Sequence, residues 1–517
     1  MISHRVAWAM IGLSVAVVCG PWQGQAAAQI SIDVGGVHIR VGDDPLPPMP
    51  LPVEVEVLTR GPIHEAFAQP VVFDEGAGYL ITQRPPPPLD EMLPDEKPEG
   101  NAIVWIPGYW GWDHDRSGFI WVSGCWRAVP PGTGWVPGYW AEVRGGYQWT
   151  SGFWATAEAE EVEYLPAPPA TLEAGPPGVG SPDSIWIPGC WVRFQGRYAW
   201  RPGFWEQARP NWVWEPAHYV WSPRGYIYIE GHWDYPLDRR GVAFLPIYCP
   251  PRLYGRTDFR YSPAIVLDLG VLTVNLFSSP RRHHYYFGDY YGPEYYREGF
   301  HPWYEARERH DWYDPIFVHQ RWQHRDDRRW VDNHRSEYER RRDNHDLRPA
   351  RTYDAMRAQA ARLPERDRRQ AQTARPMREV VSDKATPFKF GAVDARSRED
   401  AARRARDSRD YQDKRTRWES RGPPAKEVEP RDRPPTPDRG PVVREPAGRD
   451  IEPERIRTPR PPITVREPVR EKEMAPPPQP RLPNPDPAAQ PRRGKDGSGR
   501  SRDDDGEDKD KHGSSRK

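Results

Sequence analysis

The chain has 517 residues, 63 of them Pro and 43 Gly, with 29 % charged residues and a mean hydropathy of −0.89, which leaves too little apolar material for one large continuous core. Basic and acidic residues balance at 74 each, so no net field draws the chain to nucleic acid or to an anionic membrane. Past the amino-terminal apolar run, no segment reaches the roughly 18 to 20 uninterrupted apolar residues of a membrane span.

That run, Val6 to Val18, follows His4 and Arg5 and precedes Ala26, Ala27 and Ala28. It predicts a secretory signal over residues 1–28. Cys19 follows Val18, where a bacterial lipoprotein signal carries a small residue, so plain cleavage is preferred to lipidation. Ile30 to Val41 alternates apolar and polar residues around Gly35 and Gly36, the pattern of a small hairpin. Pro-rich linkers, notably Pro85 to Pro88, complete the segment 29–100; its short pieces Val55 to Leu58, Tyr79 to Ile81 and Gly61 to Ala66 are edge strands at best.

Residues 101–240 carry a repeat. Trp-x-x-Gly-x-Trp occurs intact at Trp105 to Trp110, Trp121 to Trp126, Trp135 to Trp140, Trp149 to Trp154, Trp186 to Trp191 and Trp200 to Trp205, with degraded copies at Trp214 to Tyr219 and Tyr228 to Trp233. Successive copies start 14 to 16 residues apart in two blocks of four. That spacing suits one strand and a tight turn per copy, with turns at Arg144 to Gly146, Gln195 to Arg197 and Arg224 to Gly225. Each block is therefore expected to be a four-stranded antiparallel meander. Pro107, Pro137, Pro188, Pro202 and Pro216 at the third position predict a kink in mid-strand, and whether the two Trp of a copy share a face depends on it.

Seventeen of the 24 Trp lie in this stretch, so they are either its core or a ligand surface. As core they compensate for scarce Leu, Ile and Val, each indole burying on the order of 150 to 250 Å². As an exposed row they would stack on sugar rings of cell-wall or extracellular polysaccharide, or anchor a protein partner. The copies TrpIleProGlyTyrTrp from Trp105 and TrpValProGlyTyrTrp from Trp135 resemble the WXXGXW or YXWXGXW repeat proteins, a functionally uncharacterised family of exported bacterial proteins. The flanks Arg60 to Ala68 and Tyr285 to Pro293 are similar to its planctomycete members. The resemblance implies an envelope or secreted location and a β-repeat, and no activity. Ala217, Tyr219 and Tyr228 depart from the motif, as end copies of an array often do.

Residues 241–345 form a Tyr- and His-rich region. Tyr261 to Phe277 is read as two buried strands joined at Gly270, and Asp314 followed by Pro315 starts a surface helix to about Arg342, with Val318, Trp322, Trp330 and Val331 partly on one side. From Asp346 to Lys517 the Arg-, Pro- and Glu-rich composition predicts a disordered tail with one short helix over Tyr353 to Leu363. Its mixed charges read as a polyampholyte linker, with anchoring to an anionic wall polymer as the alternative.

Chemistry-bearing motifs are scarce. His283, His284, His301, His310, His319 and His324 lack metalloprotease spacing, no Cys-x-x-Cys occurs, and nucleophile elbows, phosphate loops and dinucleotide fingerprints are missing. A carboxylate pair such as Asp113 and Asp115 is the remaining enzymatic candidate. Cys125 and Cys190 occupy the same motif position in different blocks, so a disulfide between them is open, leaving Cys249 odd; the other reading is two small residues in tight sites. The expectation is a mainly β, exported, non-enzymatic envelope protein without cofactor or metal, partnered by envelope proteins or polysaccharide.

Overall fold

The computed structural model describes residues 30–34, 37–41, 455–457, 463–464 and 477–485, and residues 54–420 apart from short gaps at 74–75, 101, 158–160, 255, 257–258 and 309–311. The expected signal lies outside the described residues. Ile30–Val34 and Val37–Val41 pair antiparallel, Ile32 opposite Ile39, as their alternation predicts. They belong to a unit that ends at Pro50, and the second unit, 51–517, holds everything else.

The second unit is mainly β, divided among many small antiparallel sheets. In the repeat region the strand breaks at the third and fourth motif positions, so each copy contributes two short strands. Tyr109–Asp113 pairs with Gly118–Val122, and Ile103–Ile106 pairs with Cys125–Ala128. Two copies thus make one kinked hairpin, and the second to fourth hairpins repeat the nested pairing about Trp135 to Trp154, Trp186 to Trp205 and Trp214 to Trp233. The expected meanders do not form. Neighbouring hairpins share no ladder; instead Gly241–Ala243 edges the first, Leu80–Ile81 the second and Glu161–Leu165 the fourth. In five of the eight copies a Pro at the break removes a ladder donor there, and each hairpin contains at least one of them. The turns fall where Gly allows them, Gln195 and Gly196 both adopting positive φ.

Within each hairpin the opening aromatic of one copy faces the closing aromatic of the other. All eight such pairs, from Trp105–Trp126 to Tyr219–Tyr228, have ring centroids 5.1 to 5.5 Å apart in edge or tilted geometry. Nine of the twelve Trp of the intact copies are buried; Trp140 and Trp186 are half-buried, and Trp205 is 37 % exposed. The two Trp of a copy serve different clusters: Trp105 packs with Phe244 and Val266, Trp110 with Ile247 and Tyr261.

The motif glycine is explained by its partner copy. A Cβ on Gly124, Gly152, Gly203 or Gly231 would lie 2.4 to 2.6 Å from Cζ2 of Trp105, Trp135, Trp186 or Trp214, and a Cβ on Gly108, Gly138 or Gly189 would meet Trp121, Trp149 or Trp200 just as closely. Each opening indole, with a backbone atom of its own copy, therefore presses on the glycine of the opposite copy: Val122 O lies 2.4 Å from the Gly108 Cβ position and Ile106 O 2.6 Å from that of Gly124. In the fourth hairpin the opposing residue is Tyr228, and the glycine it would cover is Ala217. The shorter ring leaves room for the methyl group.

Three expectations downstream are corrected. Gly270 does not join two strands: Asp268 caps a short helix, Leu269–Leu272, by accepting from the Gly270 N–H at 2.9 Å, between the strands Ile265–Leu267 and Leu276–Ser279. The helix begun by Asp314 is two, Pro315–Gln323 and Trp330–Asp343, interrupted by turns. Nor does disorder begin at Asp346. Helices Tyr353–Ala360, Glu365–Ala371, Met377–Ser382 and Ala395–Glu419 follow, and the last buries Ala401, Ser408, Tyr411, Arg415 and Glu419 along one face. Composition misses this helix because its docking is polar. Beyond Ser420 the expectation falls mostly outside the described residues. The blocks are joined by buried ions: Asp234 of the fourth hairpin accepts from Arg127 of the first at 2.5 Å and pairs with Arg240 at 2.9 Å, and Arg240 also reaches Glu215 at 2.8 Å.

Candidate functional site

A kink removes amide N–H groups from the ladder on one side of the hairpin and carbonyls on the other, and buried backbone groups require partners. Three kinks meet that need with a carboxylate. In the first, Glu91 accepts from the Gly108 and Gly124 N–H groups, both at 2.9 Å, and from the Trp121 indole at 3.1 Å. In the second, Glu65 accepts from Gly138 at 3.2 Å, Gly152 at 3.0 Å and Trp149 Nε1 at 3.2 Å. In the third, Glu173 accepts from Gly189 at 2.5 Å and Trp186 Nε1 at 3.0 Å. The presumed Pro-rich linker is thus a strap. Trp110 Nε1 donates to Pro87 O at 2.8 Å as the chain runs across the hairpin to Glu91, and Trp191 Nε1 donates to Ala170 O at 3.0 Å ahead of Glu173.

Imidazole, guanidinium and amide donors take the carbonyl side. His64 Nε2 donates to Pro107 O at 3.1 Å; Arg415 Nη1 donates to Pro137 O and Ser151 O at 3.0 and 3.2 Å, and Gln412 to Gly138 O at 2.6 Å. Arg415 lies over Phe153 and Tyr139 and pairs with Glu419 at 2.7 Å, which also accepts from the Tyr139 and Tyr164 hydroxyls. The helix Ala395–Glu419 is thereby fixed to the second hairpin.

Between the first two hairpins, the strap and this helix lies a cavity of about 650 Å³. Trp110, Trp121, Trp140, Tyr147, Glu65 and Glu91 are in its wall. Burial pushes Glu65 and Glu91 up to about 7, against the N–H donors that hold them down. Burial also holds His64 and His284 near 4. His284 Nδ1 bonds to Arg282 O at 2.6 Å, so its Nε2 accepts from the Tyr109 hydroxyl at 2.7 Å, and that oxygen accepts from the Glu65 N–H at 3.2 Å. Raised carboxyls in an aromatic cavity look like general acids, yet each oxygen of Glu65 and Glu91 is already engaged by N–H donors.

The other candidates disperse. Asp115 is bound by Arg60 and Arg351 at 2.7 and 2.9 Å, and Asp113 faces Arg116 at 3.7 Å, so these two brace the surface. Cys125 and Cys190 are free buried thiols, as is Cys249, and the open disulfide is not made: Cys125 sits in the main core cluster, while Cys190 faces Arg201 within the third hairpin. Among the described residues no three or more His, Cys, Asp or Glu converge as metal ligands. The carboxylates at the kinks escaped the sequence reading because Glu65, Glu91 and Glu173 lie outside the repeat copies at unrelated offsets. No protein-family model, curated protein or solved structure matches the chain.

Proposed function

We propose that this chain is a non-catalytic, exported scaffold of the bacterial cell envelope, of the WXXGXW repeat kind, that works by holding partner molecules. The observation that carries the reading is the burial of nine of the twelve intact-copy Trp in pairs against each other, with the kink carboxylates spent on backbone and indole donors. Residues so engaged build a rigid platform and leave few groups free for acid–base chemistry. The location rests on the amino-terminal signal pattern and the family resemblance.

A second reading, carbohydrate binding, moves from an exposed Trp row to the cavity. Its volume of about 650 Å³ lies within the roughly 300 to 1,000 Å³ of small-molecule sites, and indole walls with a few carboxylates suit sugar rings. Intrinsic Trp fluorescence of the full chain with acrylamide, before and after adding cell-wall or extracellular polysaccharide fragments, separates the two. The scaffold reading expects blue-shifted, quench-protected emission that ignores every glycan. Emission that shifts saturably with one glycan would replace it with the carbohydrate reading.

A further inference from the structure

The fourth hairpin repeats the frame of the third without the carboxylate. Trp214 lies on Gly231 as Trp186 lies on Gly203, with ideal-Cβ distances of 2.6 and 2.4 Å to Cζ2, and the Ala217 N is 3.1 Å from the Gly231 Cβ position. In the third hairpin the equivalent donors, Trp186 Nε1 and the Gly189 N–H, bind the two oxygens of Glu173. In the fourth, Trp214 is 3 % exposed, and its Nε1 has no hydrogen-bond partner among the described residues. A buried donor left in that state keeps its desolvation penalty without a compensating bond.

Of the nearby acids, Glu230 beside Gly231 is exposed to solvent, and two others are held by arginines. Glu215 and Asp234 are committed to Arg240 and Arg127. Arg209 lies over the Trp233 ring at 5.6 Å, its Nε buried and unpartnered, and adds positive charge beside the kink. Ala217 and Gly231 are part-exposed, so the backbone face of the frame meets solvent.

We propose that the kink of the fourth hairpin, framed by Trp214 Nε1 and the Ala217 N–H, is a recognition site for a glutamate side chain of another protein. The presentation is read from this chain itself: Glu91 and Glu173 both follow prolines closely, Pro85 to Pro88 and Pro168 to Pro169. A Pro-led segment is stiff before it binds, which lowers the ordering cost. The inference goes beyond the scaffold reading by giving it a partner chemistry, and its test is independent of the glycan titration.

The test is calorimetric titration of the full chain with acetyl-Pro-Pro-Ala-Thr-Leu-Glu-Ala-Gly-Pro-amide, the sequence of residues 168–176 around Glu173, and with its Glu→Gln counterpart. The expected result is one saturable site, at least tenfold tighter for the Glu peptide, with the preference abolished in Trp214→Phe, which keeps a ring and removes the donor. The Glu and Gln peptides on the unaltered protein already decide the matter should that variant fold poorly. No binding, equal binding of both peptides, or a preference that survives in a folded Trp214→Phe protein would overturn the proposal.

Discussion

The two blocks of the repeat solve the same problem with different completeness. In the first block both kinks are satisfied on both sides, by Glu91 and Glu65 on the N–H face and by His64, Gln412 and Arg415 on the carbonyl face. In the second block only the third kink has a carboxylate bonded to its N–H donors, and the fourth has lost a glycine and two tryptophans at Ala217, Tyr219 and Tyr228. The losses are coordinated: the glycine disappears where the indole covering it has become a phenol ring. Motif positions are therefore coupled across a hairpin, between copies, more than along one copy. A second coupling survives the change, since Trp140 Nε1 donates to Trp110 O at 2.8 Å in the first block and the Tyr219 hydroxyl to Trp191 O at 2.8 Å in the second.

The largest break would come from the ions that join the blocks. Asp234→Ala strands Arg127 in the interior and leaves Arg240 with Glu215 alone, and removing one partner of a buried ion pair costs about 3–5 kcal/mol; urea denaturation should show a loss of that order. Next is Gly152→Ala, whose methyl would sit 2.4 Å from Trp135 Cζ2. It should cost about 1–3 kcal/mol as overpacking, whereas Ala217→Gly, where no indole presses, should change stability by less than about 1 kcal/mol. Equal effects would erase the contrast between the blocks. Glu91→Gln exchanges an acceptor for a donor facing the Gly108 and Gly124 N–H groups and should cost about 1–3 kcal/mol, with faster hydrogen exchange at those two amides.

The smallest effect is that of pH near neutrality. His64 and His284 sit near 4 in the folded chain because burial opposes their charging, while the unfolded chain protonates them near 6.5. The unfolded state thus binds more protons on acidification. The histidine contribution to stability is full well above pH 6.5 and is lost as pH falls through 6.5 toward 4, by about 0.7 kcal/mol per histidine between pH 7 and 6. Glu65 and Glu91, pushed up to about 7, oppose this between pH 7 and about 4.5, so the comparison is cleanest as the difference between the parent and His64→Asn.

The repeat, its turns and the kink at Pro107 and its equivalents were legible in the sequence because periodicity and turn chemistry are local. Pairing was not, since a strand and turn every 14 residues fits a meander as well as a nested hairpin; only the contact of Trp105 with Gly124, across the copy boundary, decides it. Glu65, Glu91 and Glu173 were invisible because their role depends on chain brought from outside the repeat. The helix Ala395–Glu419 was mistaken for disordered tail because Arg415, Gln412 and Glu419 dock through hydrogen bonds that resemble solvated charge in a composition.

The glycine of one copy and the opening tryptophan of its partner are coupled in every hairpin that keeps both, and a double-mutant cycle at Gly189 and Trp200 measures that coupling directly. Gly189→Ala places a methyl 2.6 Å from Trp200 Cζ2 and 2.7 Å from Arg201 O, and adding Trp200→Tyr, which copies the Ala217–Tyr228 pair of the fourth hairpin, relieves the first of these contacts. Urea midpoints should show the double variant more stable than the sum of the single losses, with a coupling of about 1–3 kcal/mol. Strict additivity would contradict the account and leave the motif glycine without its proposed seat for the indole.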